Sequence, residues 1–114
     1  MEPTPRISFE KTIHNFGELG IKEKGQCEFK FKNTGTALLR IGEITASCGC
    51  TVPTLSKKEY QPGEEGIIEV KYKGKSKPGP VAERIFVPTN DPANRKITLM
   101  VTAKVVQQVE VTPD

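Results

Sequence analysis

Two cysteines separated by one glycine, Cys48-Gly49-Cys50, are the residues of this chain whose types and spacing most directly suggest chemistry. Neighbouring thiols can form a disulfide, exchange with other thiols or bind a thiophilic metal. In a flat strand, residues i and i+2 place their Cβ atoms about 6–7 Å apart, whereas a disulfide needs about 3.8 Å. Gly49 would permit the tight turn that closes this gap, and so small a ring is expected to be strained and easily reduced, as in a redox pair.

Metal binding is a second interpretation of the same pair, because paired thiolates suit Zn²⁺ or Cu(I). The third cysteine, Cys27, and the single histidine, His14, would complete a Cys₃His set by count. Cys27 falls on the apolar parity of its strand, where a free cysteine packs as a small hydrophobe, and a lone histidine more often forms a hydrogen bond. The predicted metal ligands are therefore Cys48 and Cys50, with His14 and Cys27 as weaker candidates, and no other cofactor is expected.

A third interpretation is structural packing of the cysteine pair. Cys48 continues the inward parity of Ile44 and Ala46. Cys50 would also face inward or pack at the end of a sandwich, and Gly49 would shape a crossover between sheets. The residues alone leave all three interpretations open.

Short stretches of alternating apolar and polar residues surround this motif and predict an all-β protein. Helical periodicity is nearly absent, and Gly, Pro or Asn interrupts the alternation about every ten residues, as in a sandwich. The stretches amount to about seven strands in two packed antiparallel sheets. The first predicted strand lies around Ile7–Phe9 and continues near Phe16. The other predicted strands are Gln26–Lys32, Ala37–Ala46, a short edge strand within 51–61, Ile68–Lys73, Val81–Thr89 and Ile97–Val106.

Turn residues indicate how some of these strands connect. Asn33-Thr34-Gly35 tolerates the positive φ of a tight turn and predicts a hairpin between Gln26–Lys32 and Ala37–Ala46. Gly42-Glu43 is interpreted as a bulge that lets both halves of the return strand point inward. In the penultimate strand, only Glu83 interrupts the apolar parity.

The length and charge of the chain set bounds on its function. Its 114 residues, with 17 Lys and Arg against 14 Asp and Glu, predict a single domain over 1–114 with a core at about 7–106. The charges alternate in sign, so we expect no nucleic-acid binding, and a monomer or a weak dimer. No apolar run exceeds three residues, so neither a transmembrane segment nor a signal peptide is expected in this chain.

Enzymatic activity is not expected from these residues. A nucleophilic Ser or Cys needs a base within hydrogen-bond reach, and His14 is the one histidine of the chain. The sequence contains no Gly-x-Ser-x-Gly, P-loop or dinucleotide-binding motif, and its carboxylates mostly alternate with lysines on solvated strand faces. These observations favour a binding or structural protein.

Five motifs in a fixed order give the chain a family resemblance. They are His14–Gly20, Phe29–Gly35, Ile44–Thr51, Pro62-Gly63-Glu64 and Thr89-Asn90-Asp91. In this order they resemble a bacterial domain-of-unknown-function family, abundant in Bacteroidetes and marked by Ser-Cys-Gly-Cys-Thr, which looks related to the Hydin-type and major-sperm-protein immunoglobulin-like domains. The resemblance covers about residues 8–106; Asn15 departs from it, since the family usually has Asp there, and Cys27 lies outside its motifs.

The resemblance implies an immunoglobulin-like sandwich of seven strands with no established enzymatic activity. It also implies a periplasmic, outer-membrane-associated or extracellular protein, in which Cys48 and Cys50 are bridged, buried or metal-bound. The expected function is a non-catalytic module of the bacterial cell envelope that binds a protein or another envelope component. The alternatives are a thiol site at Cys48 and Cys50, which binds Cu(I) or Zn²⁺ or acts as a redox pair, and a structural spacer domain.

Overall fold

The computed structural model of the chain describes residues 3–74 and 77–106. These residues form ten strands, and no helix among them is long and apolar enough to cross a membrane. The strands are β1 (Ile7–Phe9), β2 (Ile13–Gly20), β3 (Gly25–Asn33), β4 (Leu39–Arg40), β5 (Thr45–Ala46), β6 (Thr51–Leu55), β7 (Glu59–Tyr60), β8 (Glu65–Tyr72), β9 (Gly79–Pro88) and β10 (Lys96–Val106). The predicted all-β class is confirmed.

Two four-stranded sheets form the sandwich, with strand orders β1-β3-β8-β6 and β2-β10-β9-β5, and β4 pairs with β7 in a third, two-stranded sheet. β2 runs parallel to β10, and the other named pairs are antiparallel. The segment near Phe16 is therefore a separate strand in the second sheet and not a continuation of β1. The prediction of wholly antiparallel sheets is wrong at this pair, because the chain changes sheets after Phe9 and then runs in the direction of β10.

The alternation of the long strands places their apolar residues between the sheets. In β3, Cys27, Phe29 and Phe31 are buried, and the residues between them are exposed. β8 and β10 alternate in the same way. A second, smaller cluster extends the core and comprises Leu19, Tyr72, Val81, Ala103 and Val105. The inward parities predicted for these strands are confirmed.

The segment after β3 does not pair with β3, so the predicted hairpin is wrong. β3 pairs with β1 and β8, whereas β4 pairs with β7 and β5 pairs with β9. The physical reason is the buried side chain of Asn33, whose Nδ2 donates to the carbonyl oxygens of Ala37 and Tyr60, each at 2.9 Å. These two bonds hold the returning chain against β7 and not against β3.

The return segment also breaks at Gly42-Glu43, where a bulge was predicted. The Gly42 N–H donates to the Pro88 carbonyl oxygen at 2.8 Å, and the chain then continues into β5 of the second sheet. Both halves of the segment still face the core, with Leu39 and Ile41 buried and Ile44 and Ala46 packed against the buried cluster. The inward orientation was therefore predicted correctly, but two strands in different sheets produce it.

Asp91 joins the first strand to the β9–β10 connection. Its buried carboxylate accepts the backbone N–H groups of Ile7 at 3.0 Å and Ala93 at 2.9 Å, and the side-chain amide of Asn94 at 3.1 Å. The Arg6 guanidinium lies 3.5 Å away. Burial alone would raise the pKa of Asp91, but these donors together hold it below its ordinary value.

Candidate functional site

The Cys48-Gly49-Cys50 motif lies in the crossover from β5 to β6, the edge strands of the two large sheets on one side of the sandwich. The Thr51 N–H donates to the Cys48 carbonyl oxygen at 3.1 Å, and the Cys50 N–H donates to Cys48 Sγ at 3.3 Å. This turn brings the two cysteine Cα atoms to 5.3 Å, and the structure joins the thiols as a disulfide. The motif is therefore a turn between sheets and not a flat strand.

Glu83 of β9 lies beside this disulfide. It is only 7% exposed and occupies a core-facing position of its strand. The Ser47 hydroxyl donates to Glu83 Oε2 at 3.1 Å, and the same Oγ accepts the Arg84 N–H at 2.9 Å. The two sulfur atoms and a carboxylate oxygen of Glu83 all lie within 4.8 Å of one another. The residue that interrupts the apolar parity of β9 thus belongs to the thiol site.

The chemistry available to this cluster depends on the state of the bridge. Metals bind the thiolate form of cysteine, so the closed disulfide leaves the Glu83 carboxylate as the single strong ligand among the three groups. With the bridge open, the cluster contains two sulfur ligands and one oxygen ligand. Sequence reasoning identified the two cysteines and missed Glu83, although a charged residue on an apolar parity was the signal that would have found it.

His14 and Cys27 do not join this cluster. They lie on β2 and β3, on the other side of the sandwich, where both line a groove of about 310 Å³. Cys27 is 8% exposed, and burial raises the pKa of its thiol to about 11. Burial, followed by the charge of Lys11, lowers the pKa of His14. The weaker metal-ligand candidates are therefore separated from the Cys48–Cys50 pair.

Two strand edges are open where His14 and Cys27 lie, as far as the described residues extend. β1 pairs with β3 only at 31–33, and the bond from the Glu10 N–H to the Lys30 carbonyl oxygen, at 3.0 Å, ends that ladder. Beyond it, one edge of β3 is unpaired, and so is the side of β2 that faces away from β10. We name the space between these edges the β2–β3 slot, and Phe16 closes it at one end by packing against Gly25.

The β6 edge of the first sheet is blocked by a proline. The Lys73 N–H donates to the Cys50 carbonyl oxygen at 2.7 Å, so the even-numbered residues of β6 bond to β8. Pro53 has the other parity, and it lacks the N–H that would otherwise point to the free edge. Such a proline discourages the addition of a further strand. The β2–β3 slot has no proline on either of its strands.

A family model described as "Protein of unknown function (DUF1573)" matches residues 7–105 of the chain. A search of curated proteins finds no match. The resemblance inferred from the five motifs is therefore confirmed at the level of a family of unknown function.

Solved structures with the same fold come from different kinds of protein. A Porphyromonas gingivalis W83 protein of unknown function is 19% identical with a TM-score of 0.74; the match covers 90% of this chain and 46% of that one, so the chain spans about half its length. The ASH/PapD-like domain 7 of human CEP192 is 8% identical with a TM-score of 0.69, covering 92% and 88%. The periplasmic chaperone SfaE is 12% identical with a TM-score of 0.60, covering 95% and 60%. At these identities the likeness shows a PapD-like, immunoglobulin-like sandwich.

Proposed function

Since the chain belongs to the DUF1573 family, whose description assigns no activity, we propose from its own geometry that it is a non-catalytic immunoglobulin-like module of the bacterial cell envelope. It binds another protein by accepting an extended segment of that protein in the β2–β3 slot. The observation that carries this proposal is the pair of open strand edges on one side of the sandwich. Open edges bind extended segments through backbone hydrogen bonds, and nearby side chains provide selectivity.

The backbone of β3 directs donors and acceptors into the slot. The Lys30 carbonyl accepts the Glu10 N–H, so the even-numbered residues of β3 turn their backbone groups to this side. Gln26 and Glu28 share that parity and lie beyond the end of β1. Their N–H and C=O groups are thus available to an added strand.

The backbone of β2 does the same on the opposite side of the slot. The Met100 N–H donates to the Thr12 carbonyl at 2.8 Å, so the even-numbered residues at the start of β2 face β10. Ile13 and Asn15 therefore direct their backbone groups outward, and the Ile13 side chain is 58% exposed. Backbone hydrogen bonds lie in the plane of a sheet, so an extended segment can pair with either of these edges and lie beside the other.

The groups that line the slot support binding more than catalysis. Two residues that line the slot could in principle act in catalysis, His14 as a base and Cys27 as a nucleophile. With a thiol pKa of about 11, only about one Cys27 in ten thousand would be ionised at pH 7, and the thiolate is the reactive form. The remaining lining residues include both signs of charge, as in Lys11 and Glu28, which suits a protein segment and not a polyanion.

The envelope location rests on two supports. Disulfides such as Cys48–Cys50 persist in oxidising compartments and are rare in the reducing cytosol. SfaE, which shares the fold, is described as a periplasmic chaperone. A periplasmic, outer-membrane-associated or extracellular position of this chain is the compartment that we propose, and cell fractionation with a thiol-alkylating label at the moment of lysis would test it.

Site-specific photo-crosslinking in the producing bacterium tests the binding function. A photoreactive residue replaces Ile13, whose exposed side chain lies beside the open edge of β2, or, as the matched control, Ile67, which is 43% exposed on β8 outside the slot. We expect a defined crosslinked protein from position 13 and none from position 67. The purified partner should then slow hydrogen exchange of the Gln26 and Glu28 amides, and Ile13→Lys should weaken its binding where Ile67→Lys does not. Equal crosslinking at both positions, or protection elsewhere, would contradict the slot as the binding site.

A further inference from the structure

We propose that Cys48, Cys50 and Glu83 form a Zn²⁺ site that becomes available when the Cys48–Cys50 disulfide is reduced. The site is separate from the β2–β3 slot and does not depend on segment binding there. The supporting observation is the convergence of three ligand atoms from two segments far apart in the sequence, the β5–β6 turn and β9. Their sulfur and oxygen atoms already lie within 4.8 Å of one another.

The distances and ligand types suit zinc. Zn²⁺ binds thiolates at about 2.3 Å and carboxylate oxygens at about 2.0–2.2 Å, so ligand atoms in a tetrahedral site are about 3.5–3.8 Å apart. Small adjustments of the turn reach this spacing, because Ser47 and Gly49 are exposed and a Cβ at Gly49 would meet no atom within 4 Å. Water occupies the fourth position. The carboxylate favours Zn²⁺ over Cu(I), which prefers sulfur ligands alone.

Glu83 is held where a metal ligand is needed. It lies on β9 between the core residues Val81 and Ile85; β9 pairs with β10 at Glu83 itself and with β5 from Ile85 onward. A carboxylate at a core-facing position costs desolvation energy that an apolar residue would avoid, and hydrogen bonding offsets part of this cost. The Ser47 hydroxyl, itself anchored by the Arg84 N–H, donates to Oε2 and orients the carboxylate, as partners of metal ligands commonly do.

Bridge formation and zinc binding exclude each other. A dithiol reductant breaks the Cys48–Cys50 S–S bond; it supplies two electrons and two protons and itself becomes a disulfide. The two protein thiols then release two protons as their thiolates bind Zn²⁺. A small-molecule disulfide reverses the sequence: it accepts two electrons from the two thiolates and two protons from water and becomes a dithiol. Zn²⁺ then leaves, since a disulfide sulfur lacks the charge of a thiolate. The occupancy of this site therefore reports the redox state of its surroundings.

Zinc binding to the full chain, fully reduced with a phosphine or fully oxidised, tests this proposal without any substitution. We expect one Zn²⁺ per reduced chain after desalting, and affinity at least about 100-fold lower for the oxidised chain in competition with a chromogenic chelator. Co²⁺ as a probe should give the absorption bands of a tetrahedral thiolate site in the reduced chain only. Equal binding by the two forms, or no metal on the reduced form, would overturn the proposal.

Variants then assign the ligands, with circular dichroism to confirm that each remains folded. Glu83→Gln keeps the size of the side chain and removes its charge, and should weaken zinc binding by at least about 10- to 100-fold, the effect that even outer partners of a metal site can have. Cys48→Ser should weaken it further. Glu59→Gln, which changes an exposed carboxylate on the β4–β7 sheet, is the matched control for Glu83→Gln and should bind normally. An unchanged zinc affinity in Glu83→Gln would refute the assignment. So would a Cu(I) affinity that is higher than the zinc affinity and equal in the wild type and Glu83→Gln.

Discussion

Asp91→Asn tests whether one buried carboxylate holds the N-terminal strand on the sandwich. The substitution keeps the shape of the side chain but replaces one acceptor oxygen with an NH₂ group. In the structure, Oδ2 accepts from Ile7 and Asn94, and Oδ1 accepts from Ala93 and lies near Arg6. Either orientation of the new amide therefore places a donor against existing donors and breaks at least one bond.

The expected loss of stability follows from these bonds. A hydrogen bond to a charged group contributes about 1.5–3 kcal/mol, and a buried donor left without a partner costs about 1–3 kcal/mol. Asp91 is 0% exposed, so water cannot replace the lost partner. We expect the free energy of unfolding to fall by about 2–4 kcal/mol, a large share of the roughly 5–15 kcal/mol that typical domains possess.

The contribution of Asp91 to the free energy of unfolding should change with pH in one direction. The pKa of Asp91 is lower in the folded protein than its ordinary value, so the folded state binds fewer protons and stability rises with pH across that range. The contribution is complete above the unfolded pKa of about 3.9 and is lost as the pH falls through the folded pKa. The difference between wild type and Asp91→Asn should therefore be largest near neutral pH and shrink in acid.

Urea denaturation at a series of pH values measures both effects. Glu59→Gln is the control, because Glu59 forms an exposed ion pair with Arg40 at 3.2 Å and should change stability by less than about 1 kcal/mol. If Asp91→Asn also changes the free energy of unfolding by less than about 1 kcal/mol at pH 7, Asp91 does not hold the N-terminal strand on the sandwich. A difference that stays constant down to pH 3 would refute the role of the charge.

Three further predictions concern the core and the bridge. Cys27→Ser should lower the free energy of unfolding measured in urea by about 1–3 kcal/mol, because it buries a hydroxyl. The wild-type Cys27 thiol should react slowly with iodoacetamide near pH 8, because its pKa is raised. Rapid reaction in the folded state would contradict that raised pKa. Gly66→Ala should cost more than about 2 kcal/mol, because the new Cβ would clash with the rings of Phe31 and Tyr60; an unchanged melting temperature would contradict this packing. Reduction of the disulfide should lower the free energy of unfolding by less than about 2 kcal/mol, because the bridge closes a loop of three residues; unfolding on reduction would contradict that estimate.

The long strands could be predicted from the sequence because their burial has a period of two. Phe29 and Phe31 in β3, and Leu99 and Val101 in β10, alternate with exposed or half-buried residues and are buried in the structure. Strand partners carry no such local signal. The strand ends at Asn33, close to its predicted end, but neither Asn33 nor Gly35 has the positive φ expected of a tight turn. The Asn33 side chain bonds to Tyr60, 27 residues away, and this distant partner decides where the chain returns.

The cysteine pair of the candidate site could be predicted from the sequence, but its third member could not, because that residue comes from a distant segment. Cys48 and Cys50 are two residues apart and visible as a pair, whereas Glu83 reaches them only because β5 and β9 are hydrogen-bonded neighbours. The sequence did show that Glu83 interrupts an apolar parity. Its meaning depended on knowing which turn lies opposite, and this is a property of the topology.

The two proposed sites lie at opposite edges of the sandwich. The thiol site lies at the β5–β6 edge, and the slot lies at the β2–β3 edge, so the inner strands of both sheets separate them. Those inner strands contain most of the buried core, and neither the short disulfide loop nor an added segment at the slot is needed to form it. Reduction at one edge can therefore open a metal site while the sandwich remains folded.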